Sequence, residues 1–383
     1  MKIVLIPDSF KGTLSSEEAA AIMEKEVLRC FPNCETVKIP MADGGEGTEK
    51  VMVELMKGRH ISCEVHDPLG RVISSGYGLL DENTALIEMA SASGLTLVEP
   101  FRRNPFLSSS FGTGELIARA VKDGCRKLII AIGGSATNDG GMGAMEALGV
   151  VFRDEKGQKL RGRAENLIKI KDIDCSALLP KLEKTRITVM CDVKNPLLGK
   201  TGATYVYGPQ KGADPEMLEK LEAGMENYAS VLKKTTGTDL SDMAGAGAAG
   251  GMGGALYAFC KGELRCGADI ILDLIHFSEI LENTDLVITG EGRLDGQSAS
   301  GKVLDRVGEY CLQKNVPAIA ITGCIGAGAE AIYSKGIRTA FPIIQELLPE
   351  EELFARSRSL LADATNRVMR LLQLGMKLGG QIL

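Results

Sequence analysis

Short apolar runs that end in glycine-and-carboxylate phrases stand at both ends of this 383-residue chain, and they restrict it to few folds. Residues 2–7 lead into Asp8-Ser-Phe-Lys-Gly12, and Thr36–Met41 leads into Asp43-Gly-Gly-Glu-Gly-Thr48. The same texture returns only near the C-terminus: Asp285–Gly290 runs into Glu291-Gly-Arg-Leu-Asp295, and Pro317–Gly323 and Arg338–Ile344 are further strand-like runs. Helical segments lie between them. Ser15 or Ser16 caps one that runs to Cys30, with Glu17 and Glu18 in its first turn, where the helix dipole favours acids. Thr48–Met56, Ser300–Asn315 and Leu353–Leu374 read as the others. Apolar strands alternating with helices imply a parallel sheet covered on both faces.

The middle of the chain has a different pattern. Arg71–Leu80 and Thr84–Glu88 read as paired antiparallel strands, and Lys127–Ile132 and Ile187–Asp192 as buried ones. Gly112–Lys122, Gly141–Leu148 and Pro215–Lys233 read as helices. A chain of this length exceeds a single core. The expectation is an α/β protein of two domains. A split, doubly wound, Rossmann-like parallel sheet comes from residues 1–64 and 284–383, with an α/β domain of residues 65–283 inserted into it. Ligands of doubly wound sheets bind beyond the carboxyl ends of the strands, so the active site is expected in a cleft between the domains.

Charge and composition exclude several classes. Net charge is -6, with no lysine/arginine run of the kind that grips nucleic acid. No apolar stretch reaches the roughly 18 residues of a membrane span. The ten cysteines include no CxxC pair, so they read as reduced thiols of a cytoplasmic protein. Oligomeric state, monomer or homodimer, stays open. The three histidines lie in no metal or triad pattern, so proton transfer falls to Asp, Glu and Lys.

Glycines let the backbone approach a ligand, their N–H groups cradle oxyanions, and adjacent carboxylates hold a hard cation such as Mg²⁺. In Asp8-Ser9-Phe10-Lys11, Lys11 suits a substrate carboxylate or phosphate and Asp8 a metal or proton; the plain alternative is a turn with a solvated lysine. Asp43 and Glu46 are too dense in acids for a plain turn, although Thr48 there fits a helix cap. Gly133-Gly-Ser-Ala-Thr-Asn-Asp-Gly-Gly141, set between a strand and a helix, suits a triphosphate, with Ser135, Thr137 and Asn138 as donors. Asp192, Lys194 and Asn195 fit a base, a charge clamp and a positioning group, or simply a strand end turning at Pro196. Gln210 and Lys211 lie in a comparable turn.

Two near-matches fail on context. Gly245-Ala-Gly-Ala-Ala-Gly250 fits GxGxxG but follows no buried strand. Gly296-Gln-Ser-Ala-Ser-Gly-Lys302 approaches a Walker A loop, but Val303 replaces the metal-binding Ser/Thr; Lys302 still begins a helix near the glycine phrases.

Taken together, IPDSFKGTLSS, MADGGEGT, AIGGSATNDGGMG, CDVKNPLLG, GPQKGA, AGAGAAGG and DLVITGEGRLDGQS resemble, in order and over nearly the whole chain, the bacterial glycerate kinase family of the type I class. The resemblance implies ATP- and Mg²⁺-dependent phosphorylation of D-glycerate, usually to 2-phosphoglycerate, on a two-domain α/β fold. Phosphoryl transfer asks mainly for positioning and charge neutralisation. On this reading Asp192 takes the hydroxyl proton, with Asp8 or Asp295 as its alternative, and Lys11 and Lys302 stabilise the transferring phosphoryl. Gly133, Gly134, Ser135, Asn138, Asp139, Gly140, Gly290 and Gly292 surround the nucleotide. Asp43 or Asp295 carries Mg²⁺, and Arg71 or Lys194, with Ser9, holds the glycerate carboxylate. The rivals are a kinase for another small hydroxy acid, a non-catalytic nucleotide or sugar-acid sensor, and a dehydrogenase using the GxGxxG phrase.

Overall fold

The computed structural model describes residues 1–10, 12–41, 44–45, 47–296, 303–346 and 349–382. The chain divides into two compact units, Met1–Asp43 with Ala268–Leu383, and Gly44–Gly267.

The first unit is built on five parallel strands. Across the sheet they run Ile337–Pro342, Ala318–Thr322, Leu286–Gly290, Lys2–Pro7 and Glu35–Lys38. Counted along the chain, that is the doubly wound order 2-1-3-4-5 read from the Glu35–Lys38 edge. Ile3, Val4, Leu5 and Ile6 are all fully buried, as a strand covered on both faces must be. The helix Ser16–Cys30 begins with a reciprocal cap: Ser15 Oγ accepts from Glu18 N–H, and the Glu18 carboxylate accepts from Ser15 N–H. Its Met23 and Val27 join Leu361 and Val368 of the helix Glu350–Ile382 over one face of the sheet. The chain order reverses between Lys2–Pro7 and Leu286–Gly290, which is where doubly wound sheets bind ligands.

The second unit holds a six-stranded sheet in the order Glu263–Arg265, Arg186–Met190, Lys127–Ala131, Thr84–Glu88, Val72–Leu79 and Arg59–His66. The first four are parallel, and the last two add as an antiparallel hairpin. Its core joins Ile87, Ile130 and Val189 of the strands to Leu116, Met145, Tyr228 and Leu256 of the helices. The strand Arg59–His66 was not expected from sequence. Only Val65 in it is buried, so it lacks the apolar signature of the others. It pairs with Val72–Leu79 along its whole length, from Arg59 opposite Leu79 to His66 opposite Val72. Residues 44–64 therefore belong to the second unit, and residues 268–283 to the first.

The ten cysteines are free. No helix among the described residues is long and apolar enough to cross a membrane.

Candidate active site

The four parallel strands of the second unit point their carboxyl ends to one edge, and the Gly133–Gly141 loop leaves the sheet there. Gly133 N–H donates to Gly44 O at 3.2 Å, which brings the described part of the 43–48 phrase onto the loop. A Cβ on Gly133 would stand 2.8 Å from that carbonyl, so the approach requires glycine. Leu95 N–H donates to Gly134 O, Ala136 N–H to Ser93 O, and Gly140 N–H to Gly250 O, each at 2.9 Å. Among the described residues none accepts from the N–H groups of Gly134 or Ser135. With Gly134 at a φ of 72°, those two donors are left available to an oxyanion.

Asn138 and Asp139 are fully buried, and among the described residues Asn138 Oδ1 has no hydrogen-bond partner. Asn138 Nδ2 donates to Thr204 Oγ1 at 3.2 Å. Asp139 Oδ2 accepts from Ser110 N–H and Ser110 Oγ, both at 2.8 Å, and from Gly143 N–H at 3.2 Å; Oδ1 accepts from Gly141 N–H at 3.1 Å. Burial pushes the Asp139 carboxyl above the ordinary range, while these donors pull it back. What Asp139 supports directly is the shape of the loop and its junction with the helix Phe111–Lys122.

Lys211 lies beneath the same loop. Its side chain is buried, and Nζ donates to Ser135 Oγ at 3.0 Å and to Thr137 O at 2.6 Å. Burial pushes the amine down to about 7, against a smaller upward pull from Asp139.

Asp192 follows the strand Arg186–Met190 and is exposed, with Oδ1 accepting from Gly267 N–H at 2.8 Å. Gly267 opens the helix Gly267–Leu274. Lys194 is exposed two residues on. Asn195 holds the turn: its Nδ2 donates to Thr201 O, and its Oδ1 accepts from Tyr207 OH, both at 2.7 Å. Arg71 is partly engaged, with Nε donating to the buried Asp67 Oδ2 at 2.5 Å and Nη2 to Leu97 O at 3.0 Å. Thr48 does not cap its helix; its hydroxyl donates to Gly45 O at 2.8 Å, and Gly47 occupies the cap.

In the first unit, Asp8 and Gly290 meet at the point where strand order reverses. Asp8 N–H donates to Gly290 O at 2.8 Å, and Ser9 N–H to Asp8 Oδ1 at 2.6 Å. Gly290 is needed for packing, since a Cβ there would stand 2.1 Å from Ile321 O on the neighbouring strand. Gly292 O accepts from Cys324 N–H at 3.2 Å. Asp295 Oδ2 lies 3.2 Å from Arg293 Nε. Lys11, Asp43, Glu46 and Lys302 lie outside the described residues.

Sequence reading under-weighted Lys211 and missed Ser110. The GPQKGA phrase signals that Lys211 is unusual, whereas nothing near Ser110 signals its pairing with Asp139, 29 residues away.

Comparison with known proteins follows the same outline. The sequence profile of the glycerate kinase family matches residues 3–373. The glycerate kinase of Haemophilus influenzae is 44% identical over 373 residues, covering 97% of this chain and 99% of its own. The glycerate 2-kinase of Escherichia coli is 41% identical over 381 residues, covering 99% and 100%. The crystal structure of a putative glycerate kinase 2 from Salmonella typhimurium LT2 superposes with a TM-score of 0.86 at 42% identity, covering 98% of this chain and 99% of that one.

Proposed function

The chain belongs to the glycerate kinase family, and from that membership we infer an enzyme that transfers the γ-phosphoryl group of ATP to D-glycerate, with 2-phosphoglycerate as product. The match spans residues 3–373 and includes every glycine phrase described above. The observation that supports the chemistry best is the Gly133–Gly141 loop: it sits at the carboxyl edge of a parallel sheet, and the N–H groups of Gly134 and Ser135 meet no protein acceptor among the described residues. A nucleotide phosphate suits those donors. The whole-length family match favours a kinase over a sensor or a dehydrogenase.

In the proposed reaction a glycerate hydroxyl attacks the γ-phosphorus, a new O–P bond forms, and the bond to the β-bridging oxygen breaks to release ADP. Asp192, exposed and oriented by Gly267, accepts the hydroxyl proton. Lys194, and Arg71 with whatever donors Asp67 and Leu97 leave, suit the glycerate carboxylate, with Ser9 beside them in role. Mg²⁺ keeps most of its waters and takes one or two carboxylates with phosphate oxygens. Asp43 or Asp295 would meet such a cation beside the nucleotide. Bound there, the cation would neutralise charge on the β- and γ-phosphates. A cytoplasmic setting accords with ten free cysteines.

Phosphorus NMR of the purified protein with D-glycerate, ATP and Mg²⁺ tests this reading. A monoester signal of 2-phosphoglycerate is expected. A 3-phosphoglycerate signal would keep the kinase and overturn the product assignment, and an unchanged ATP spectrum would overturn the substrate.

A further inference from the structure

Lys211 belongs to the Gly208-Pro-Gln-Lys-Gly-Ala213 phrase, which the roles above leave unused. A short 3-10 turn, Pro209–Lys211, carries it and is closed by Gly212 at a φ of 97°. Its side chain is 2% exposed, and its amine bonds to two neutral oxygens, Ser135 Oγ and Thr137 O. Among the described residues no carboxylate forms an ion pair with it, and Asp139 exerts a smaller upward pull against the effect of burial. A cation held away from water against neutral acceptors is costly unless a counter-charge is supplied. Ser135 joins the two halves of the arrangement. Its hydroxyl faces Lys211, while its N–H, with that of Gly134, meets no protein acceptor.

We propose that Lys211 is a positioning residue for the nucleotide: it fixes Ser135 and Thr137 in the anion-receiving conformation and holds a buried positive charge that a bound phosphate balances. The inference rests on reading the Gly133–Gly141 loop as the phosphate site. Inside a water-excluded loop such a charge acts at low dielectric, where it is worth more than a surface lysine. Burial leaves the amine at about 7 in the free protein, so much of it is neutral at mildly alkaline pH. A polyanion bound on the other side of Ser135 favours the charged form and draws a proton onto the amine.

The test is calorimetric titration of the purified protein with Mg·ATP at pH 8, in buffers of different ionisation enthalpy, beside steady-state kinetics for both substrates. At that pH the terminal phosphate has already lost its proton, so uptake reports on the protein. The wild type is expected to take up protons on binding. Lys211→Met keeps the apolar stem and removes the charge. It is expected to lose the uptake and to raise the KM for ATP about tenfold or more, while the KM for glycerate moves less than about threefold. Two outcomes overturn the proposal and leave the nucleotide reading intact: wild type that binds ATP without proton uptake, or a folded Lys211→Met with wild-type KM for ATP. Failure of the wild type to bind ATP overturns both. Should Lys211→Met not fold, proton uptake by the wild type decides alone.

Discussion

The Asp192 carboxylate and the Gly267 backbone N–H stand 2.8 Å apart, joining the end of one parallel strand to the first turn of a helix. First-turn N–H groups have no partner inside their own helix, and a carboxylate is a favoured one. The bond orients the side chain while leaving it exposed. Asp192→Asn keeps the shape and removes the proton acceptor. Its kcat is expected to fall roughly 10²-fold or more, with the KM for ATP and the unfolding midpoint nearly unchanged. A near-normal kcat in steady-state assays would assign proton removal elsewhere, to Asp8 or Asp295.

Asp139 answers to a different measurement. It is fully buried and accepts four hydrogen bonds from Ser110, Gly141 and Gly143. Asp139→Ala would strand those donors away from water. A loss of about 3 kcal/mol or more in urea unfolding is expected, with any residual folded enzyme showing weakened ATP affinity because the loop is loosened. Wild-type stability combined with lost ATP binding would instead make Asp139 a direct ligand contact.

How far the sequence reads, and where it stops, follows from what each feature leaves in one dimension. Continuous apolar runs such as Ile3–Ile6 and Leu128–Ala131 announce themselves, because burial on both faces demands them. Arg59–His66 does not, because a strand at the sheet edge with one buried side chain looks like polar loop. The glycine phrases are visible, but their uses are not. Gly133 is glycine for the approach of Gly44, Gly140 for the ring of Tyr228, and Gly290 for a neighbouring strand. A glycine that admits another backbone and one that admits a phosphate look alike in sequence. The loop's supports lie farther away still: Lys211 bonds to Thr137 across 74 residues.

Gly290 gives that distinction an experimental form. A methyl group there would stand 2.1 Å from Ile321 O, and the obstacle is backbone in a parallel ladder. Gly290→Ala is therefore expected to destabilise the protein by about 2 kcal/mol or more, whether or not nucleotide is present. Chemical unfolding with and without Mg·ATP tests this. A variant of wild-type stability that fails only in ATP binding would show that Gly290 is there for the ligand.

The buried amine of Lys211 imposes a pH dependence whose sign is fixed. Its value falls from the ordinary 10.5 to about 7 on folding, chiefly through burial. Between those limits the unfolded chain holds a proton that the folded protein does not, so stability rises with pH across the window. The contribution is complete above the unfolded value and is lost as pH falls through about 7. The slope cannot exceed about 1.4 kcal/mol per pH unit for one group. Asp139, whose carboxyl burial pushes up, faces the same loop and titrates the opposite way, so the wild type alone does not isolate the lysine. The difference between wild type and Lys211→Met does, because every other group is common to both. In urea unfolding at pH 7.5 and pH 9, the wild type is expected to gain about 1–2 kcal/mol relative to the variant. Parallel pH profiles would mean that the lysine keeps its proton in the folded protein, its charge already balanced there without a nucleotide.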